Sequence, residues 1–308
     1  MESLVSIKNL SKKFGTFTAV DGLSFSVNKG EVLGFLGPNG AGKTTTMRMI
    51  TGYFPPSAGE INVCGFNVCE EGMEFKKRIG YLPEGGPIYS DMTPKTFLSF
   101  IGEIRGLSGS KLKERMEFVV EKLHLSAVIN QNIDTLSKGF KRRVALAQAI
   151  IHDPEVLILD EPTDGLDPNQ KHEVRGLIKS MAKDKAIIIS THILEEVEAI
   201  CGRVIIIAHG KIVASGTPDE IMNKASGHNS VVIKLKQDSA DKVLEEILKI
   251  RNVEKVQMDG KNSVIVSSKK GREILGDISD VLHKQKYQIE ELYVRKGALD
   301  EAFRDLTS

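Results

Sequence analysis

A short apolar segment near the start of the chain runs directly into a glycine-rich turn, and a helix-forming segment follows at once. The turn reads Gly37, Pro38, Asn39, Gly40, Ala41, Gly42, Lys43, Thr44 and Thr45. Glycines at these spacings let successive backbone N–H groups face a common point, and the following helix adds the positive end of its dipole. The pattern G-x-x-x-x-G-K-[ST] predicts a phosphate-binding loop in which Lys43 contacts the β and γ phosphates and Thr44 binds Mg²⁺. A chance glycine-rich turn is the alternative, and the flanking strand and helix argue against it.

Three aliphatic runs later in the chain are typical of buried parallel strands. They cover residues 156–159, 186–190 and 203–208, and helical segments separate them. Parallel strands bring their carboxyl ends to one edge of a sheet, which is where ligands of open α/β folds bind.

Polar residues follow the first two of these runs. Asp160 and Glu161 come after the first, so Asp160 is a candidate Mg²⁺ ligand and Glu161 a candidate for polarising the attacking water. His192 follows the second run and is a candidate sensor of the γ phosphate. Solvated surface acids and a structural histidine are the alternatives.

The chain is expected to contain two domains. Helical spacing of apolar residues predicts a helical subdomain over about 90–150 within a first domain at 1–225. A polar stretch near 222–229 is interpreted as a linker. The second domain, 230–308, is predicted to follow the order β-α-β-β-α-β of ferredoxin-like folds, with a hairpin at Asp259-Gly260.

Composition excludes several classes of protein. A formal charge of +1 over 308 residues supplies no basic excess for nucleic acid, so no nucleic-acid partner is expected. Three cysteines without paired motifs indicate reduced thiols of the cytosol. The sequence shows neither a leader pattern nor an apolar run long enough to span a membrane, so a soluble protein is expected.

The ordered motifs GPNGAGKTT, LSKGFKRR, ILDEPTDGLDP and STH resemble those of the nucleotide-binding subunit of ATP-binding cassette (ABC) transporters, over residues 4–220. The resemblance implies an α/β P-loop NTPase fold with an inserted helical subdomain, ATP and Mg²⁺ as ligands, and a dimer. It implies that Ser137 and Gly139 contact ATP held by the other subunit, that Asp167 crosses the dimer interface, and that Phe14 stacks on adenine.

Two departures from the family pattern concern the nucleotide site. The signature motif LSGGQ reads LSKGF here, with Lys138 and Phe140 in place of glycine and glutamine. The usual glutamine after the strand at 80–82 is Glu84, which keeps an oxygen for Mg²⁺ but loses the amide donor. The presence of both Glu161 and His192 argues against a non-hydrolysing site.

The resemblance further implies an ATPase that powers transport through separate membrane permease subunits, as a homodimer or a pair with a similar ATPase subunit. Residues 85–100 are then expected to line the groove that receives the membrane subunit, although Phe97 and Phe100 fit the core of the helical block better. The tail resembles that of ABC-2 type export ATPases, in the branch of gliding-motility and multidrug export. The expected location is the cytoplasm, at the inner face of the membrane. A soluble cassette ATPase acting on ribosomes or DNA and a regulatory nucleotide binder are the alternatives.

Overall fold

The computed structural model describes residues 2–86, 88–225, 228–236, 240–269, 272–295 and 298–307. The chain forms two compact units, Met1–Ser215 and Gly216–Ser308. The boundary expected from the sequence, between 225 and 230, lies a little later in the chain, and the division into domains 1–225 and 230–308 stays a prediction.

The first unit contains ten strands and seven helices among the described residues. The strands are β1 (Ser3–Phe14), β2 (Phe17–Asn28), β3 (Val32–Leu36), β4 (Ala58–Val63), β5 (Phe66–Asn67), β6 (Ile79–Leu82), β7 (Val156–Asp160), β8 (Ala186–Thr191), β9 (Arg203–Ala208) and β10 (Lys211–Gly216). The helices are α1 (Lys43–Ile50), α2 (Gly72–Arg78), α3 (Pro94–Ile104), α4 (Gly109–Lys122), α5 (Lys138–Ile150), α6 (Pro168–Ala182) and α7 (Leu194–Ile200).

Six strands form a sheet in the order β10-β9-β3-β8-β7-β6. The register is parallel from β9 to β6, with Val32 opposite Ile187 and Val156 opposite Ala186. Every residue of β3, β7 and β8 is buried, which explains why their sequences are mostly apolar, with polar residues only at the carboxyl ends of β7 and β8. The parallel sheet predicted from these runs is confirmed, and its carboxyl edge carries the loop after β3.

A second sheet, β2-β1-β4-β5, is antiparallel and packs on the first through a shared apolar core. Phe35 and Ile158 come from the parallel sheet, while Val20 and Ile61 come from the antiparallel one. This packing holds β2 close to the glycine-rich loop: Gly210, which follows β9, accepts a hydrogen bond from the N–H of Asp21, and its own N–H donates to Ala41.

The helical insertion is present as predicted. It consists of α3, α4 and α5 with two short 3-10 turns between the last two. Thr93 and Thr96 form a reciprocal cap at the start of α3, and Pro94 occupies its first turn, where a missing N–H is harmless.

The second unit begins with α8 (Pro218–Met222). Its remaining elements are β11 (Ser230–Leu235), α9 (Ala240–Ile247), β12 (Val253–Met258), β13 (Ser263–Ser268), α10 (Leu275–Lys284), β14 (Ile289–Arg295) and α11 (Leu299–Thr307). The strands pair antiparallel in the order β12-β13-β11-β14, which is the ferredoxin-like arrangement. The hairpin predicted at Asp259-Gly260 is confirmed, since Met258 pairs with Val264 across it.

No helix in the described part of the chain combines the length and apolarity needed to cross a bilayer. Cys64, Cys69 and Cys201 are free thiols.

Candidate active site

A cleft of about 810 Å³ opens at the carboxyl edge of the parallel sheet. It collects residues from the glycine-rich loop, from the ends of β6, β7 and β8, and from α5. Its described lining comprises Phe17, Ala19, Asn39, Gly40, Gly42, Lys43, Thr44, Thr45, Glu84, Gly85, Arg142, Asp160, Glu161, Asp164 and His192. Residues from distant parts of the sequence therefore meet at one edge.

The loop between β3 and α1 has the backbone that the motif requires. Gly42 precedes α1 with φ of 106°, and a Cβ there would lie 2.6 Å from the carbonyl oxygen of Ala19. Lys43 Nζ donates to the carbonyl oxygens of Gly37 and Pro38 at 2.6 and 3.1 Å. Burial lowers the pKa of Lys43, against the opposing effect of nearby carboxylates. The loop presents a cation and the N-terminal end of a helix to the cleft.

Oxygen ligands suited to a hard divalent cation lie beside the loop. Thr44 Oγ1 donates to Asp160 Oδ2 at 3.3 Å, and Glu84 lines the same cleft. Burial, together with the neighbouring carboxylates of Glu84 and Glu161, raises the pKa of Asp160. Within the described ranges, no three or more His, Cys, Asp or Glu side chains are placed so that they alone could hold a metal ion. A small number of protein oxygens in an open cleft is suited to Mg²⁺, because this ion is usually held by one or two carboxylates together with substrate phosphates and water.

Glu161 occupies a left-handed backbone conformation, with φ of 52°. Its N–H donates to the carbonyl oxygen of Ser190 at 2.8 Å, so the turn is anchored to the end of β8. The carboxylate accepts from Thr191 Oγ1 at 3.1 Å and from the His192 N–H at 3.1 Å, and its Oε1 lies 2.7 Å from His192 Nδ1. These contacts hold the carboxylate at the mouth of the cleft. The His192 ring itself is mostly exposed.

Arg142 was not identified from the sequence. Its largely buried side chain lines the cleft, and the guanidinium donates to the backbone oxygens of Asp160 and Glu161, and to that of Pro83 at 3.1 Å. Burial lowers its pKa, and the nearby carboxylates oppose that effect. One side chain thus fixes the turn that carries the two acidic residues. The basic run 141–143 is visible in the sequence, but only the fold shows that Arg142 is the member that reaches the cleft.

Lys138, the unusual residue of the signature segment, contacts the turn after Asp160 and Glu161. Its Nζ lies 2.9 Å from Asp164 Oδ2, and its aliphatic stem covers Gly165, where a Cβ would lie 2.7 Å from Lys138 Cδ. The ion pair lowers the pKa of Asp164. Asp164 lines the cleft and was also missed by the sequence analysis.

The aromatic residue predicted to meet adenine, Phe14, is absent from the described lining of the cleft, and its contact with adenine stays a prediction. Phe14 packs edge-on against Phe54 with ring centroids 5.8 Å apart. Phe17, three residues later, does line the cleft and is 63% exposed. Both residues lie at the β1–β2 turn, where Phe14 pairs with Phe17.

Three predicted contact residues lie outside the cleft of their own chain. Ser137 caps α5 by accepting from the Phe140 N–H at 3.3 Å, and Asp167 caps α6 through Gln170 N at 2.9 Å. Gly139 lies in the first turn of α5 and is buried. Their expected contacts with ATP on a second subunit stay predictions.

A buried parallel sheet with a lysine-bearing phosphate loop and acidic residues at its carboxyl edge defines a P-loop nucleotide hydrolase. The sequence profile of the ABC transporter family matches residues 20–164. The chain is 37% identical over 231 residues to Nod factor export ATP-binding protein I of Ralstonia nicotianae (strain ATCC BAA-1114 / GMI1000), covering 75% of this chain and 72% of that protein.

Similarity extends through the second unit in another relative. The chain is 33% identical to "Uncharacterized ABC transporter ATP-binding protein YhcH" of Bacillus subtilis (strain 168), over 312 aligned positions that cover 100% of this chain and 97% of that protein. A solved structure of an ATP binding subunit of an ABC transporter matches with a TM-score of 0.67 at 30% identity, over 71% of this chain and 91% of that one. The chain belongs to the ABC transporter family of ATP-binding proteins, and it is an ATPase.

Proposed function

We propose that this chain binds and hydrolyses ATP to power an exporter whose membrane-spanning subunits are separate polypeptides, most similar to the ABC-2 type. The observation that carries the hydrolytic part is the position of Glu161, held by Thr191 and His192 beside Lys43 in one cleft. The export assignment is supported by similarity to a protein named for Nod factor export.

In the proposed complex the triphosphate lies on the loop between β3 and α1. The backbone N–H groups around Gly40 and Gly42 contact the phosphate oxygens, and Lys43 exchanges its backbone carbonyl partners for the β and γ phosphates. Thr44 and Asp160 hold Mg²⁺, with Glu84 as a third oxygen donor. The cation supplies charge neutralisation for the phosphates.

Glu161 acts as the base for the attacking water. The water oxygen attacks the γ phosphorus, the bond to the β-γ bridging oxygen of ADP breaks, and the water proton passes to Glu161. His192 orients Glu161 through its backbone N–H and its ring, and the exposed ring is available to the γ phosphate. Arg142 keeps the turn at Asp160 and Glu161 in place.

Two subunits enclose two nucleotides in the proposed working state, as a homodimer or with a similar ATPase subunit. Ser137, Gly139 and Asp167 are absent from the described lining of their own cleft, which supports a role on the nucleotide of the second subunit. Contacts to the γ phosphate exist only before hydrolysis, so cleavage weakens the dimer and resets the transporter.

The proposed contact with the membrane subunit lies at the start of the helical insertion. Phe97 is 2% exposed and belongs to the core of the block, whereas Tyr89, Phe100 and Ile104 are exposed. Tyr89 packs edge-on against Phe97 and Phe100, with centroids 5.9 and 6.1 Å apart, so the exposed rings rest on a rigid base. This surface would attach the protein to the inner face of the membrane. Co-purification with a membrane-spanning protein, weakened by Tyr89→Ala or Phe100→Ala, tests this part.

The test of hydrolysis is Glu161→Gln. The amide cannot accept the water proton, so turnover is expected to fall about a hundred- to ten-thousandfold while ATP still binds. Light scattering after size exclusion should then detect a stable dimer in ATP that the wild type forms only transiently. Glu195→Gln, which removes an exposed charge on α7, is the matched control and should keep wild-type turnover. Unchanged turnover in Glu161→Gln would exclude this residue as the base.

A further inference from the structure

The hydroxyl of Thr191 lies between two carboxylates. Thr191 Oγ1 is 3.1 Å from Glu161 Oε2 on one side and 3.1 Å from Glu196 Oε2 on the other. It also accepts the N–H of Ile193 at 3.0 Å. Glu196 lies on α7 and is fully buried, and the function proposed above does not use it.

A hydroxyl has only one proton to donate, so it cannot serve both carboxylates at once. If both were ionised, one of the two 3.1 Å contacts would bring together two oxygens with no hydrogen between them. Buried polar atoms in such a contact cost free energy. The arrangement therefore requires a second proton, held by Glu161 or by Glu196.

Burial and the available donors assign that proton to Glu196. The side chain of Glu161 is 13% exposed, it accepts the His192 N–H at 3.1 Å, and its Oε1 lies 2.7 Å from His192 Nδ1. Glu196 is 0% exposed, and its other oxygen accepts from Thr163 Oγ1. Burial raises the pKa of Glu196 and outweighs the hydrogen bond with Thr191, which lowers it, and the charge of Glu161 raises it further.

The titratable groups around Glu196 come from four places in the fold. They are Glu161 after β7, Lys171 and Arg175 on α6, Glu195 on α7 and Cys201 after α7. The two cations lower the pKa of Glu196, but less than burial raises it. The Arg175 guanidinium is directed to Glu195 instead, at 2.9 Å.

We propose that Glu196 is a protonated positioning residue that orients the Glu161 carboxylate through Thr191. The Glu196 O–H donates to Thr191, Thr191 donates to Glu161, and Thr163 donates to the carbonyl oxygen of Glu196, so every proton of the network has an acceptor. When Glu196 ionises, the Thr191 hydroxyl turns to it and Glu161 loses a donor. The proposal rests on the role of Glu161 as the base.

The deciding variant is Glu196→Gln, measured as kcat and KM for ATP across pH. An amide offers the same acceptor and donor as the protonated acid, but it cannot ionise near neutral pH. The alkaline limb of the kcat profile is expected to move to higher pH in this variant, while KM changes little. Glu198→Gln removes an exposed charge of the same helix, and its profile should follow the wild type. Coincident wild-type and Glu196→Gln profiles would overturn the proposal, and so would loss of turnover at every pH.

Two further measurements separate this proposal from the proposed function. Thr191→Val should lower kcat and remove the same alkaline transition, and Thr191→Ser, which restores the hydroxyl, should recover both. Infrared difference spectra of wild type against Glu196→Gln at neutral pH should contain a protonated carboxyl band, independently of turnover; its absence contradicts the assignment of the proton. If Glu161→Gln keeps its turnover, the proposed function fails; if that variant is inactive and the pH profiles coincide, only the role of Glu196 fails.

Discussion

The two units of the chain arrange their strand ends in opposite ways. In the parallel sheet of the first unit, every strand from β9 to β6 ends at the same edge, and Lys43, Asp160 and Thr191 come from three of those ends. In the antiparallel sheet of the second unit, neighbouring strands end at opposite edges. Parallel topology brings chemistry from distant parts of a sequence to one place, whereas the antiparallel sheet spreads its strand ends.

The two units also differ in their buried charged side chains. Among the described residues, the buried charged side chains are Arg142, Arg143, Asp160 and Glu196, all in the first unit. The core of the second unit is aliphatic, built on Val231, Ile233, Val264 and their neighbours. Burying charge is unfavourable unless partners compensate. The first unit carries that cost where ATP is bound, and the second has the composition of a domain packed for stability.

The largest expected effect on stability comes from Ile233→Ala. Ile233 is fully buried in the middle of β11, so the cavity should lower the free energy of unfolding of the second unit by about 2–4 kcal/mol. ATP affinity should persist, because every described lining residue of the cleft lies in the first unit. Urea denaturation and ATP titration measure the two quantities. Tyr293→Ala, at an exposed position of β14, is the control and should change stability by about 0.5 kcal/mol or less. Loss of ATP affinity in Ile233→Ala would contradict the expectation that ATP binding depends on the first unit alone.

Lys43→Ala tests the first unit, where the comparison places ATP binding. Removing the ammonium should weaken ATP binding at least about a hundredfold, roughly 2.7 kcal/mol, because a charge-assisted contact with two phosphates is lost. Fluorescence titration with a labelled ATP analogue measures this affinity. Lys211→Ala removes an exposed cation paired with Asp21 and should bind ATP like the wild type. Tight binding by Lys43→Ala would argue against the loop as the phosphate site.

Phe17→Ala should have the smallest effect of the three. An aromatic face at the cleft can stack on adenine, so its loss should raise KM for ATP about tenfold with little change in kcat. Phe14→Ala is the matched variant, because Phe14 is half exposed at the same turn and packs on Phe54 instead. A larger rise in KM for Phe14→Ala than for Phe17→Ala would indicate that Phe14 contacts adenine, as the sequence predicts.

Much of the fold could be predicted because its signals are local. Fully buried strands appear as aliphatic runs, and the Asp259-Gly260 turn marks its own hairpin. The antiparallel strands β4 and β5 were not predicted. Only Ile61 and Val63 are buried in β4, and β5 has two residues. The pairing of β4 with β1 spans some 50 residues of chain and leaves no local pattern, and β5 pairs only with β4.

The residues of the site also divide into those that the sequence indicates and those that only the structure shows. Lys43, Asp160, Glu161 and His192 are adjacent to recognisable strands, so the sequence indicates that they share one edge. The choice between Phe14 and Phe17 depends on irregular pairing between β1 and β2, since each slip in register changes the face to which a side chain points. Arg142 and Glu196 act through backbone oxygens and hydroxyls of other elements, and such contacts are visible only in three dimensions.

The left-handed backbone of Glu161 has a consequence for evolution and engineering. A residue with a side chain gives up about 1 kcal/mol or more in this conformation, which glycine adopts freely. The backbone at this position alone would therefore favour glycine, which would also remove the side-chain contacts with Thr191 and His192 and the proposed base. Directed evolution of a more robust variant should hold position 161 constant, because robustness and turnover make opposite demands on that one residue.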